Sequence, residues 1–216
     1  MKKLLIFDLD GTLLDTSEGV VESAVFAATA LGQPPKPREE LLDFIGPPLS
    51  DSFPKHYGFD PETTREAIRL FRQHYREGAV FLASPYPGIF DLCEALRSRG
   101  IAMAVATNKL EPMARLLLAR FGFDRFCSPI HGADPEGVLK KCDLIRLCLK
   151  ECGCSPSEAV LMGDTVFDAE GAAAAEVGFL AVTYGFGFRT PEDAAPYADF
   201  GIVSSPIQAA DLFPVP

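Results

Sequence analysis

The sequence predicts an α/β fold: a doubly wound, mostly parallel sheet with helices on both faces, interrupted once by an inserted helical subdomain. Three observations predict it. Short β-rich runs alternate with helical stripes, as in a parallel sheet covered by helices. Polar residues follow several of the apolar runs, and such sheets bind ligands at the carboxyl ends of their strands. The first run is separated from the next by far more chain than a single crossover needs, and most of that chain reads as helix.

Taken in order, the first candidate strand is Lys3–Phe7. Val20, Val21, Ala24, Ala27, Ala28 and Leu31 then form a helical stripe that stops at Gly32. The Pro-rich stretch from Gln33 to Pro37 breaks the pattern. Helical character returns over Glu39–Ile45, turns at Gly46-Pro47-Pro48, and resumes over Glu62–Glu77 with Ile68, Phe71 and Tyr75 on one side. These residues place the helical subdomain at 15–80 and the core at 1–14 and 81–216. Ile89, Leu92 and Leu96 mark a helix stopped by Gly100, and a strand follows at Ile101–Ala106. A helix over Lys109–Arg120 runs to Gly122, and the next strand is Phe126–Ile130. Leu139, Cys142, Ile145 and Leu149 form another stripe. Strands at Ala159–Met162, Phe179–Thr183 and Phe200–Ser204 complete the pattern.

The 216 residues are 48% hydrophobic, which is enough apolar chain for a sizeable core. The net charge of −10 disfavours a general binder of nucleic acid or anionic membrane, since both need clustered Lys and Arg. The six cysteines fall mostly at apolar positions and read as reduced thiols of a cytoplasmic protein. MKKLLIF imitates the start of a signal peptide, but Asp8 and Asp10 interrupt the apolar region. No apolar stretch approaches the length of a membrane span. The expectation is a cytoplasmic protein, a monomer or weak homodimer, with no nucleic-acid and no membrane partner.

The chemistry begins at the end of the first strand. Side chains at i and i+2 of an extended strand point the same way, so Asp8 and Asp10 project together. Gly11 permits a tight turn and leaves backbone N–H groups open to an anion. Thr107 and Asn108 follow the second core strand and offer a hydroxyl and an amide to a phosphate oxygen, although either also suits a helix cap. Gly163-Asp164-Thr165-Val166-Phe167-Asp168 carries two more carboxylates where a strand turns into a helix. Lys140 and Lys141 supply positive charge. Lys141 stands four residues before Ile145 and seven before Cys148, which puts it at the top of the buried stripe and favours it over Lys140. Four aspartates at one sheet edge call for a cation, and hard oxygen ligands suit Mg²⁺. A metal, a cationic clamp and a carboxylate nucleophile beside a carboxyl acid are the equipment of phosphoryl transfer.

Asp8-Leu9-Asp10-Gly11-Thr12, Thr107-Asn108, Lys141 and Gly163-Asp164 with Asp168 resemble the four ordered motifs of the haloacid dehalogenase-like hydrolase superfamily. The insert resembles its small helical cap. Phe44–Leu49 and Tyr86–Ile89 look like the phosphoglycolate phosphatase branch. The resemblance implies a Rossmann-like core and Mg²⁺-dependent hydrolysis of a small phosphorylated metabolite. It implies that Asp8 attacks phosphorus and that Asp10 protonates the leaving alcohol and later deprotonates water. Asp8, the Asp10 carbonyl and Asp164 would hold Mg²⁺. Thr107 and Lys141 would hold the phosphoryl group, with Gly11 and Asn108 also on the phosphate side, and Asp168 would orient the lysine or a water. Ile45, Gly46, Pro47 and Arg76 are the cap candidates for meeting the leaving group.

Other readings fit less well. By the same resemblance, dehalogenases lack a second aspartate equivalent to Asp10. A sugar-phosphate mutase keeps Asp10 and differs chiefly in the cap. Receiver domains are shorter and have no cap, and a non-catalytic phospho-acceptor or interaction protein would be expected to lack a motif residue. Cys148, Cys152 and Cys154 match no standard zinc spacing.

Overall fold

The computed structural model describes residues 2–213. In chain order the elements are β1 (Leu4–Phe7), β2 (Leu14–Asp15), α1 (Ser17–Ala30), α2 (Arg38–Leu41), α3 (Leu49–Tyr57), α4 (Pro61–Glu77) and β3 (Ser84–Pro85). They continue with α5 (Ile89–Ser98), β4 (Ala102–Leu110), α6 (Glu111–Phe121), β5 (Ile130–Ala133), α7 (Lys141–Cys152), β6 (Ala159–Gly163), α8 (Val166–Ala174), β7 (Gly178–Val182), α9 (Pro191–Ala194) and β8 (Gly201–Val203). The chain divides into two units. One holds the chain up to Leu14 and again from Pro85; the other is Asp15–Ser84. The second crossing therefore falls four residues later than the expected 80/81 boundary.

The first unit is built on a six-stranded sheet in the order β5-β4-β1-β6-β7-β8, with every pairing parallel. All four residues of β1 are buried, which explains why the strand reads as an unbroken apolar run and not as an alternating one. After β5 the chain crosses to β6 on the other side of β1, so β1 lies at the switch point where α/β sheets open a crevice. The register is what positions the site. Phe7 is level with Val105 on one side and Met162 on the other. Asp8, Thr107 and Asp164 therefore stand within one residue of the same level. Leu144, Ile145 and Cys148 of α7 and Ala169 and Ala172 of α8 pack on Leu4, Ile6 and Leu161 beneath them.

Several boundaries differ from the sequence reading. β4 runs on to Leu110, so the helix begins at Glu111 and neither Thr107 nor Asn108 caps it. The strand expected at Phe126–Ile130 is displaced to Ile130–Ala133; Phe126 and Cys127 are buried by packing after a tight turn, not by sheet pairing. Leu139 precedes α7 and is partly exposed.

The second unit is helical. Its core is aromatic: Phe53 is fully buried and lies edge-on to Phe44 at 5.0 Å and to Phe71 at 6.4 Å between ring centres. Asp60 caps α4, accepting the Thr63 N–H at 2.7 Å, and Pro61 occupies the first turn, where its missing N–H costs nothing. α3 has no counterpart in the sequence reading, because Pro54 sits inside it.

Candidate active site

Asp8 extends the β1 ladder, donating its N–H to the Met162 carbonyl at 2.9 Å. Its carboxylate is thereby fixed to the sheet edge, and it is buried. Lys141 opens α7 and reaches the same edge. Its Nζ lies 2.5 Å from Asp8 Oδ1 and 2.7 Å from Asp168 Oδ1. Lys140, one residue earlier, is exposed.

Asp168 serves two purposes. Its Oδ2 accepts the Thr165 N–H at 3.0 Å and the Thr165 hydroxyl at 2.7 Å, closing a capping box at the start of α8. Its Oδ1 is left for Lys141. Asp164 is fully buried at the end of β6, and its Oδ2 accepts the N–H groups of Phe186 at 2.7 Å and Gly187 at 3.2 Å. Its Oδ1 is buried without a hydrogen-bond partner among the described residues.

Gly11 follows with φ +85°, and a Cβ there would sit 2.3 Å from Asp164 Oδ2. Only glycine satisfies both the left-handed backbone and this close approach. Thr107 is buried, its Oγ1 accepting the Lys109 N–H at 3.2 Å, whereas Asn108 is exposed. Asp10 does not join the other three carboxylates through its side chain. Lys109 Nζ donates to both of its oxygens at 2.9 Å.

Lys109 is the residue the sequence reading missed. Assigned to a helix, it had no reason to face the site. Assigned to the continuing strand, it stands two residues beyond Thr107 at the same sheet end, which is the signal that would have pointed to it. His131 lies in β5 with Nε2 2.9 Å from Glu151 Oε1. In the helical unit, Ile45 is buried, Gly46 has φ +103° and Pro47 is half-buried, while Arg76 is exposed near the end of α4. The first three are consecutive in one turn, and Arg76 belongs to α4.

The electrostatics of the cluster suit a bound cation. Asp8, Asp164 and Asp168 each offer an oxygen within 4.8 Å of the others. Burial, together with the neighbouring Asp168 and Asp10, pushes the Asp8 carboxyl up to about 7 despite Lys141. Burial raises Asp164 as well, and Asp168 and Asp8 add to it. Burial would lower Lys141, but Asp168 and Asp8 more than offset that and hold it charged. Ionising all four carboxylates would set four negative charges against the two ammonium groups of Lys109 and Lys141. The unpartnered Asp164 oxygen, the hard-oxygen donor set and this imbalance fit a divalent cation such as Mg²⁺.

The family profile described as haloacid dehalogenase-like hydrolase matches residues 5–182. The chain belongs to this family. A 5'-nucleotidase from Pseudomonas aeruginosa is 38% identical over 184 residues, 85% of this chain and 83% of that protein. The tyrosine-protein kinase PtkA of Mycobacterium tuberculosis is 34% identical over 186 residues, 86% of this chain; the chain spans only 63% of PtkA's length. Proteins named pyrophosphatase PpaX and phosphoglycolate phosphatase 1 match as well. Among solved structures, a haloacid dehalogenase-like family hydrolase from Streptococcus pneumoniae superposes with a TM-score of 0.91 at 30% identity, covering 99% of each chain. By its family and by the relatives named 5'-nucleotidase and phosphoglycolate phosphatase 1, the hydrolase is an enzyme of the phosphoric monoester type.

Proposed function

We propose that this hydrolase cleaves a small phosphate monoester, with Mg²⁺, through an aspartyl-phosphate on Asp8. The observation that carries the reading is the buried Asp8 carboxylate, held at 2.5 Å by Lys141 beside the unpartnered Asp164 oxygen. A carboxylate fixed in a dry site with a cation beside it is an oriented nucleophile, and the same cation faces the charge that builds on a phosphoryl group.

Asp8, Asp164 and the Asp10 carbonyl would hold Mg²⁺, with Asp168 supporting Lys141. The ion supplies electrostatic neutralisation of the phosphoryl oxygens. Asp8 Oδ attacks phosphorus, Thr107 and Lys141 hold the phosphoryl oxygens, and Asp10 gives its proton to the departing alcohol. Asp10 then takes a proton from the water that releases phosphate from Asp8. The proposed setting is the cytoplasm, with the protein acting as a monomer or weak homodimer on a phosphorylated metabolite. Among the described residues no helix is long and apolar enough to cross a membrane.

The test is Asp8→Asn, assayed with Mg²⁺ on p-nitrophenyl phosphate and on a panel of nucleoside monophosphates, phosphoglycolate, sugar phosphates and pyrophosphate. Turnover should vanish while the circular dichroism spectrum is kept. Undiminished hydrolysis, or hydrolysis indifferent to excess EDTA in the native protein, overturns the reading. Because one relative is named a kinase, an ATP and tyrosine-peptide arm belongs in the same panel; phosphopeptide formed in preference to free phosphate also overturns it.

A further inference from the structure

Besides Lys141, a second lysine, Lys109, is sequestered at the carboxyl end of the sheet. It sits near the end of β4, with its side chain 8% exposed, and its ammonium grips both oxygens of Asp10, itself 15% exposed, at 2.9 Å each. Lysines are rarely buried this far, because desolvation and lost rotamer freedom oppose it. Two further features aim it. Its N–H is tied to Thr107 Oγ1, and the register against β5 shifts between Thr107 and Leu110, an irregularity of the kind that redirects a side chain at a strand end. A grip on two oxygens fixes the direction of the carboxylate as well as its position.

We propose that Lys109 is a positioning residue for Asp10: it fixes where Asp10 exchanges its proton, and so sets how well the enzyme handles a poor leaving group. The inference rests on the phosphatase reading. In the first half-reaction the Asp8–phosphorus bond forms and the bond from phosphorus to the alcohol oxygen breaks. That oxygen takes the proton of Asp10, which is left as a carboxylate. In the second half-reaction a water oxygen bonds to phosphorus, the Asp8–phosphorus bond breaks, and the proton lost by water returns to Asp10. The proton count closes over the cycle. Each exchange passes through the carboxylate that Lys109 grips, so a loosened Asp10 slows both. The loss falls hardest on substrates whose departing oxygen needs the proton.

The experiment compares Lys109→Met, Lys109→Arg, Asp10→Asn and the Lys109→Met/Asp10→Asn double variant, on p-nitrophenyl phosphate and on an alkyl phosphate. Lys109→Met should lower kcat on the alkyl phosphate by about 10²-fold, the scale of a misplaced catalytic group, with a smaller loss on p-nitrophenyl phosphate and little change in KM. Lys109→Arg should recover part of the loss. In the Asp10→Asn background the Lys109→Met change should cost little more, because the group it positions is already gone. Effects that multiply in the double variant, or a loss confined to KM, overturn the inference by making Lys109 an independent anion binder. Equal losses on both substrates that track a fall in Tm, with no recovery by Arg, overturn it by making the pair structural. An inactive native protein overturns the phosphatase reading and this inference with it; an active native protein with multiplying effects overturns this one alone.

Discussion

Lys141 Nζ and Asp8 Oδ1 lie 2.5 Å apart, both side chains buried, although 133 residues separate them in the chain. β1 delivers the acid and the start of α7 delivers the base. Removing one member of such a pair leaves an uncompensated charge in a dry site, so the consequence of a substitution depends on which lysine is changed.

Lys141→Ala should remove nearly all turnover, while Lys140→Ala should keep most of it. Losing one donor to a transferring oxyanion costs on the order of 3 kcal/mol, or about 10²-fold in kcat. Lys140 is exposed, and its N–H donates to Asp143 Oδ2 at 3.0 Å. Steady-state kinetics on the two variants, with Tm measured alongside, decide the matter. An essential Lys140 and a dispensable Lys141 would contradict the geometry.

Metal binding should be tied to pH in a definite direction. Asp8 is raised from 3.8 to about 7 in the folded chain without a cation, so the folded state keeps a proton that the unfolded state has released. The metal-free protein therefore loses stability from this group as pH rises from about 4 through about 7. Asp164 is shifted in the same direction. A divalent cation needs the ionised carboxylates, so its stabilising effect grows over the same window. The increment in Tm on adding Mg²⁺ should be larger at pH 7.5 than at pH 5. An increment that is flat or reversed across that range rules out these carboxylates as the binding set.

The cysteines should divide into two classes. Burial pushes the Cys93 and Cys148 thiols up to about 12 and raises Cys127 as well. Cys142, Cys152 and Cys154 are only half-buried, and all six are free. Because the thiolate is the nucleophile, a thiol reagent at pH 8 should label the second group ahead of the first, which reacts only on unfolding; Cys152 should be the slowest of its group, since burial raises its thiol too. Peptide mapping after brief alkylation reads this directly. Rapid labelling of Cys127 in the native protein would show that the core opens there.

What the sequence made legible follows from where physical constraints are local. Asp8 directly follows the first strand, Asp164 and Asp168 share a turn, and Lys141 heads a stripe, so spacing could aim these four; Asp10 lies past the end of β1, where strand alternation no longer holds, and its carboxylate turns to Lys109 instead of joining them. Lys109 and the full length of β4 were hidden for the opposite reason. Thr107 to Leu110 has no apolar alternation to mark it as strand, and what holds it there is pairing with β5, a contact between distant parts of the chain. α3 was hidden by Pro54, which reads as a breaker until the aromatic packing around Phe53 is known. The double duty of Asp168 was half visible: the resemblance implies that it orients the lysine or a water, but spacing does not say that the same carboxylate also caps α8.

Gly171 gives a prediction in which two known effects oppose each other. It lies inside α8, where replacing glycine by alanine ordinarily stabilises a helix by about 1 kcal/mol. Here a Cβ would come within 2.5 Å of Lys141 Cγ and 2.8 Å of its Cβ. Neither atom belongs to a free end that can swing aside, since Lys141 is buried and its ammonium is held by both Asp8 and Asp168. Relief requires that α7 and α8 move apart or that Lys141 leave one partner, and overpacking of this kind typically costs 1–3 kcal/mol, at roughly that scale or above the gain in propensity. Gly171→Ala should therefore lower Tm and lower kcat together, against the sign that helix propensity alone gives. A variant that melts higher than the native protein with kcat intact would mean that Lys141 has room to shift, and that its place between Asp8 and Asp168 is less constrained than the packing requires.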